Sequence, residues 1–329
     1  MLRLPPFEYH RPETTQAALE LLAAHGDEAM PLAGGTDLMP NMKHRLFTPA
    51  HVVALGGISE MRGVSIDGES LRIGALETLA DVATNALVQK HAPSLAQAAG
   101  LVAGPQLRNM GTLGGNICLD TRCTYYNQTE FWREALGYCL KKDGTVCHVT
   151  KVGKKCVAAH SADTPPVLMT LGAELVLADP DGVETVSTGD FFVADGIWNT
   201  RRKPGQLLTE VRIPLGPGGR RTSYRKLRQR NSIDFPLLSV AVAAELDGDG
   251  HVTVIKGVVT ALGSRPRELT GWDEIAVGNR LDEDLTQALA ERAGSQCRPL
   301  DNIIVDAEWR RAMVPVYVGR ALKDLLIPA

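Results

Sequence analysis

Five of the six cysteines fall between Cys118 and Cys156: Cys118, Cys123, Cys139, Cys147 and Cys156, with only Cys297 apart. Their separations of 5, 16, 8 and 9 residues match neither the C-x-x-C pairs of zinc ribbons nor the cysteine runs of ferredoxins. Five is an odd number for disulfides. The leading residues MLRLPPFEYHRPET break with prolines and charges before any apolar signal core could form, so a cytoplasmic, reducing setting is expected, where clustered thiols are metal ligands or reactive groups. A four-thiolate metal site follows, with zinc and an iron–sulfur cluster both open. Arg122, Arg133, Lys141, Lys142, Lys151, Lys154 and Lys155 face only Glu130, Glu134 and Asp143 in the same segment. Such cations would stabilise an anionic thiolate cluster or dock an acidic redox protein, and equally describe a solvated loop.

Two glycine loops offer a second chemistry. The first is Leu32-Ala33-Gly34-Gly35-Thr36-Asp37, running into Leu38; the second is Arg108-Asn109-Met110-Gly111-Thr112-Leu113-Gly114-Gly115-Asn116. Glycines let a backbone approach a phosphate closely, and successive free N–H groups at a helix start favour an anion. Neither loop matches G-x-G-x-x-G or G-x-x-x-x-G-K-[ST], which disfavours a Rossmann or Walker site. Two such loops fit a ligand with two phosphates and two long ends, of the size of FAD. Taken alone, the first loop is also an ordinary tight turn with an N-cap.

The elements that must position these residues read as α+β. Apolar spacing predicts a helix over 13–24, a strand at 30–33, and a helix opening at Thr36-Asp37. Short β-type runs follow in 51–80, turning at Asp67-Gly68, and 80–102 reads as helical. A helix leading into the strand AELVLAD precedes hairpin chemistry at Asp181-Gly182. The run Pro214-Leu-Gly-Pro-Gly-Gly219 predicts a domain boundary. The domains expected are 1–215, in two α+β parts (about 1–55 and 56–215), and 216–329, with the cysteine-rich insertion at about 117–160. The second domain should hold an antiparallel meander over 222–262, then helices at 282–293 and 307–326, the last kinked or broken at Pro315. At 329 residues, with 44% hydrophobic and 22% charged residues and a net charge of -3, the chain has an ordinary globular composition that argues against disorder. It gives no reason to expect nucleic acid or an acidic membrane as partner. Aromatics at 5% argue against a base-stacking platform.

The motifs AGGTD and RNMGTLGGN, with IGALETL between them, resemble the FAD-binding subunits of the molybdenum hydroxylases, the xanthine dehydrogenase family. The likeness continues through Ser161-Ala-Asp163, LLTEVRIP, Tyr224-Arg-Lys226 and DAEWRRAMVPVYVGRAL, so it spans essentially the whole chain. It implies a flavoprotein fold of that type and a first domain that binds FAD. Leu32, Ala33, Gly34, Gly35, Thr36, Asp37 and Leu38 would wrap the pyrophosphate, and Thr112, Gly115 and Asn116 would hold its other side. Asp163 would accept hydrogen bonds from cofactor hydroxyls or the flavin, Leu208 would pack near the isoalloxazine, and Lys226 would place positive charge beside it. Judged without the resemblance, Asp163 ahead of Thr164-Pro165-Pro166 is also a helix N-cap, Leu208 plain core, and Lys226 a solvated charge.

The long insertion between Asn116 and Ser161 resembles one branch of that family, the flavin subunits of 4-hydroxybenzoyl-CoA reductases, which carry an added [4Fe–4S] cluster. By this resemblance Cys123, Cys139, Cys147 and Cys156 are the ligands, and Cys118 and Cys297 are small buried residues. The implied partners are a molybdopterin-containing large subunit, a [2Fe–2S] small subunit, and ferredoxin as electron donor, with no catalytic residue on this chain. Two other readings stay open: the flavin subunit of an oxidative hydroxylase using NAD or quinone, and a zinc-stapled FAD-binding module without turnover.

Overall fold

A computed structural model describes residues 2–150, 153–216 and 220–326. Three sheets organise it. A parallel three-stranded sheet holds β1 (Glu8–His10), β2 (Ala29–Leu32) and β3 (His51–Ala54) in the order β1-β3-β2. An antiparallel sheet of β4 (Val64–Asp67), β5 (Ser70–Gly74), β6 (Glu174–Asp179), β7 (Gly182–Ser187) and β8 (Leu207–Pro214) has the order β4-β5-β8-β6-β7. The third sheet holds β9 (Arg221–Leu227), β10 (Leu238–Leu246), β11 (Val252–Thr260) and β12 (Arg267–Glu268), ordered β12-β11-β10-β9. Strands and helices are segregated rather than strictly alternating, as the α+β expectation requires.

Helix α1 (Thr15–His25) is capped by the Thr14 side chain and ends at Gly26, whose φ of 51° turns the chain into β2. Six residues past β2, α2 (Leu38–Lys43) begins with Asp37 at its N-cap position, although that side chain makes no cap bond. The helical stretch expected over 80–102 is three helices: α3 (Leu79–Thr84), α4 (Ala86–His91) and α5 (Pro93–Gly100). Asn85 divides the first two by accepting from Leu87 and Val88 N–H groups, and Pro93 opens the third where its missing N–H costs nothing. Short α6 (Pro105–Arg108) and α7 (Leu113–Ile117) carry the second glycine loop, and α8 (Glu130–Leu136) lies inside the insertion. Next come α9 (Thr164–Thr170) and α10 (Thr188–Phe191).

In the last third, α11 (Asp273–Ala276), α12 (Glu283–Gln296) and α13 (Ala307–Asp324) pack on the third sheet around Trp272, Leu289, Val314 and Val318. The break expected at Pro315 does not occur, because α13 runs through it. Its ring seats against Gly294 of α12, where there is only a hydrogen to meet. The expected boundary at 214–219 is described only through Gly216; residues 217–219 lie outside the described residues. A separate core spans the first two sheets and α1, α3, α5 and α9. No helix among the described residues is long and apolar enough to cross a membrane.

Candidate cofactor site

The two glycine loops meet. A Cβ on Gly34 would overlap the Met110 carbonyl, and one on Gly111 would stand 3.2 Å from Thr36 Oγ1. Gly114 lies equally close to Ala75, where a Cβ would come within 2.8 Å of the alanine methyl. These glycines therefore fit backbone to backbone, and the closeness of the two loops is what shapes the groove between them. Thr112 caps α7 by accepting from Gly115 N–H at 3.1 Å.

Between the loops opens a cavity of about 490 Å³. Ala33, Gly34, Gly35, Thr36, Asp37, Leu38, Thr112, Gly115, Asn116 and Leu208 all line it. Its size and mixed lining, a donor-rich glycine cradle at one side and apolar Leu207, Leu208 and Phe235 elsewhere, fit an elongated cofactor with a polar middle and a flat ring. Three residues of the expected set stand off its lining. Leu32 lies in β2, behind Gly35. Asp163 and Lys226 pair with each other, Nζ to Oδ2 at 2.9 Å, in a site closed to solvent. Asp163 precedes α9 without capping it; its carboxylate also accepts from the Tyr224 hydroxyl. Burial lifts the Asp163 carboxyl above the usual range, and Lys226 opposes that. Asn116 reaches this pair's neighbourhood by accepting from both the N–H and the hydroxyl of Thr164.

Sequence reasoning did not single out Tyr126, Trp198, Arg202 or Phe235, and it named Lys141 only among the segment's cations; all five are on the cavity wall. Phe235 comes from the loop after β9, and Arg122 stacks over its ring at 4.1 Å. The segment Trp198-Asn-Thr-Arg-Arg202 carried an aromatic beside paired arginines, the one legible signal among these.

The four inserted cysteines converge. An antiparallel bridge between Arg122 and Ala159 sets Cys123 beside the 156–159 turn. Leu140 N–H donates to Val146 O at 2.9 Å, which brings Cys139 next to Cys147. Cys123 and Cys139 share an apolar cluster with Leu46, Phe47 and Tyr126. From the C-terminal domain, buried Asn302 clasps both walls, accepting from Thr124 N–H and donating to Val157 O. Cys139, Cys147 and Cys156 are buried and Cys123 is half-buried.

Their environments differ: burial raises Cys123 and Cys156, whereas Cys147 is lowered. Burial pushes Cys123 up to about 11, against a hydrogen bond from Tyr125, and the thiols of Cys156, Cys139 and Cys147 add to the rise. Burial also raises Cys147, but hydrogen bonds from Thr150 and from the backbone of Val149 and Val157 prevail and lower it. Cys156 accepts from Ala158 N–H at 3.5 Å and packs on Gly196. Among the described residues no three of these sulfurs lie within 4.8 Å of one another. Cys118 lines the cofactor cavity instead, and Cys297 is in the C-terminal core.

Cavity and cysteines share a wall. Tyr126 faces the cavity and packs on Cys139. Lys141, nearly closed to solvent, donates to Asp120 Oδ1 at 2.7 Å, Thr121 Oγ1 at 2.8 Å and Gly196 O at 2.6 Å. It stands 4.7 Å over the Tyr126 ring, and its charge favours the Cys156 thiolate. Arg122 donates to Asp37 at 3.1 Å. Of the seven cations in the segment, Arg122, Arg133 and Lys141 are thus turned inward to partners, so the outward positive surface is smaller than the count implies. Lys154 and Lys155 are exposed, and Lys151 lies outside the described residues.

Residues 5–216 match the family described as the FAD binding domain in molybdopterin dehydrogenase, and residues 222–325 the CO dehydrogenase flavoprotein C-terminal domain. The chain is 30% identical over 318 residues to the carbon monoxide dehydrogenase medium chain of Hydrogenophaga pseudoflava, covering 97% of this chain and 96% of that one. It is 33% identical over 258 residues to an aldehyde oxidoreductase FAD-binding subunit of Escherichia coli, covering 75% and 80%. Among solved structures, carbon monoxide dehydrogenase from Hydrogenophaga pseudoflava superposes with a TM-score of 0.82 at 28% identity, covering 98% of each chain. Quinoline 2-oxidoreductase from Pseudomonas putida gives 0.80 at 25% identity over the same share.

Proposed function

Because the chain belongs to the family of FAD-binding subunits of molybdenum hydroxylases, we propose that it is the flavin and [4Fe–4S] electron-transfer subunit of an enzyme that reductively dehydroxylates 4-hydroxybenzoyl-CoA to benzoyl-CoA. Reduced ferredoxin is the donor in this reading, and the partners are a molybdopterin-containing large subunit and a [2Fe–2S] small subunit. The single observation that carries it is the convergence of Cys123, Cys139, Cys147 and Cys156 beside the flavin cavity.

When bound, FAD and the cluster supply one-electron carriage; substrate chemistry belongs to the large subunit. The chain's own residues hold and tune. Ala33 to Leu38 with Thr112, Gly115 and Asn116 form the cradle for the cofactor's phosphates, Leu32 backs it from β2, and Leu208 offers an apolar face to its ring. Asp163 and Lys226, buried behind Asn116, fix that wall rather than touch the cavity directly. The Ala158 N–H donates to Cys156 Sγ at 3.5 Å, and a hydrogen bond of that kind would raise a cluster's potential. Tyr126 and Lys141 fill the partition between cavity and cysteines.

The oxidative alternative, with NAD or quinone as acceptor, draws on the names of the relatives, which include a carbon monoxide dehydrogenase and an aldehyde oxidoreductase. One experiment separates the readings. The purified complex is assayed for iron, sulfide and zinc on this chain, then for flavin bleaching by reduced ferredoxin and by NADH. Iron with equal sulfide, bleaching by ferredoxin, and benzoyl-CoA formed from 4-hydroxybenzoyl-CoA support the reductive enzyme. Bleaching by NADH with no turnover of the CoA ester transfers the assignment to the oxidative one, and zinc alone leaves a stapled flavin module.

A further inference from the structure

Apart from the cysteines, three histidines from three elements meet at the start of the parallel sheet's central strand. His10 ends β1, His25 ends α1 and His51 opens β3. One ring nitrogen of each lies within 4.8 Å of the other two. His10 Nε2 stands 3.0 Å from His51 Nδ1, close to the separation of two nitrogens on one tetrahedral ion with bonds of about 2.0–2.1 Å. The His25 ring lies against His51, with centroids 3.6 Å apart. The Glu8 carboxylate approaches the same two nitrogens, 3.8 Å from His10 Nε2 and 3.6 Å from His51 Nδ1.

A hydrogen bond accounts for only one pair in this group, and three imidazoles gathered with a carboxylate form a donor set with a net negative charge when the rings are neutral. We propose that His10, His25 and His51, with Glu8 as the charge-balancing group, bind one divalent transition-metal ion of the zinc class. Imidazole nitrogen with one carboxylate suits zinc, whereas magnesium and calcium prefer all-oxygen sites. The three histidines are half-buried and Glu8 is exposed, so the ion can enter from solvent.

The site's placement gives it a structural role. His51 pairs with Glu8 and Ala29, at the start of β3 and β2, while the first glycine loop leaves the far end of β2 after Leu32. An ion there staples β1, β3 and the end of α1 without touching the cofactor cavity. Metal binding therefore raises the melting temperature and leaves flavin and iron contents unchanged.

The test uses the full chain as purified, dialysed against chelator and then against micromolar zinc chloride, with zinc, iron and flavin measured after desalting. One zinc per chain is expected, lost in His25→Gln and in His51→Gln while iron and flavin persist, and weakened roughly tenfold in Glu8→Gln. Flavin content reports whether the variants fold. Independently of any variant, zinc should shield His10, His25 and His51 of the wild-type chain from acylation by diethylpyrocarbonate, read by peptide mass. Equal zinc in wild type and the histidine variants, zinc that follows the cysteines instead, or binding only at millimolar concentration overturns the site.

Discussion

Lys226 Nζ lies 2.9 Å from Asp163 Oδ2, with the two side chains 1% and 4% exposed, so an ion pair shut off from water joins the third sheet to the entry of α9. Breaking one partner of such a pair leaves an uncompensated charge in a poorly solvated place. Lys226→Met should cost about 3–5 kcal/mol in denaturant unfolding, and adding Asp163→Asn should restore part of it. A single variant within half a kilocalorie of wild type, roughly the range of a surface change, would show that the pair does not bear on stability.

Gly34 and Gly35 are adjacent but answer to different constraints. Gly34 faces the Met110 carbonyl, where a Cβ has no room; Gly35 has φ 71° and would place its Cβ 3.1 Å from Leu32 Cδ1. Gly35→Ala should therefore cost about 1–3 kcal/mol of backbone strain and keep most of its flavin. Gly34→Ala should separate the loops and abolish flavin binding. Flavin-to-protein absorbance ratios of the two purified variants check the order; the reverse order would sink this account of the cradle.

The cysteines divide by position. Cys139→Ser should lose the iron and keep FAD, since Cys139 packs among the cluster residues and away from the cavity lining. Cys118→Ser and Cys297→Ser should keep full iron. Iron retained in Cys139→Ser, or lost in Cys118→Ser, would reassign the fourth ligand.

His160 gives a pH signature. Fully enclosed, with Nδ1 on Thr260 Oγ1 at 2.6 Å, its ring is pushed by burial down to about 3. The unfolded chain then binds the extra proton between about pH 6.5 and 3, so stability falls as pH drops through that window, by up to about 1.4 kcal/mol per unit. His160→Gln removes the titration and should flatten that part of the stability-versus-pH curve. Parallel curves for the two proteins would refute it.

Much of this was legible in sequence where the signal is local. Turn glycines and alternating apolar residues marked the hairpins, and the two glycine loops marked where the cavity opens. What was not legible is long-range. The cysteine spacings do not reveal that Arg122 bridges Ala159, nor that Asn302, far along the chain, holds both walls. The charge of Lys226 reads as solvated on a strand until its partner before α9 is seen. Phe235 enters the cavity only because the third sheet docks against the first domain. Pro315 reads as a break because the rule weighs its own helix and not the glycine opposite.

Arg133 is 1% exposed within the insertion, and its guanidinium donates to the carbonyls of His44 and Arg45 at the end of α2. Arg122 meanwhile holds Asp37 at that helix's start. The two ends of one six-residue helix are thus tied off by a segment 85 to 89 residues downstream. The cysteine insertion is not a cassette: spliced out, it leaves open bonds at both ends of the helix behind the first glycine loop, and grafted into another flavoprotein it arrives with two arginines lacking their sockets.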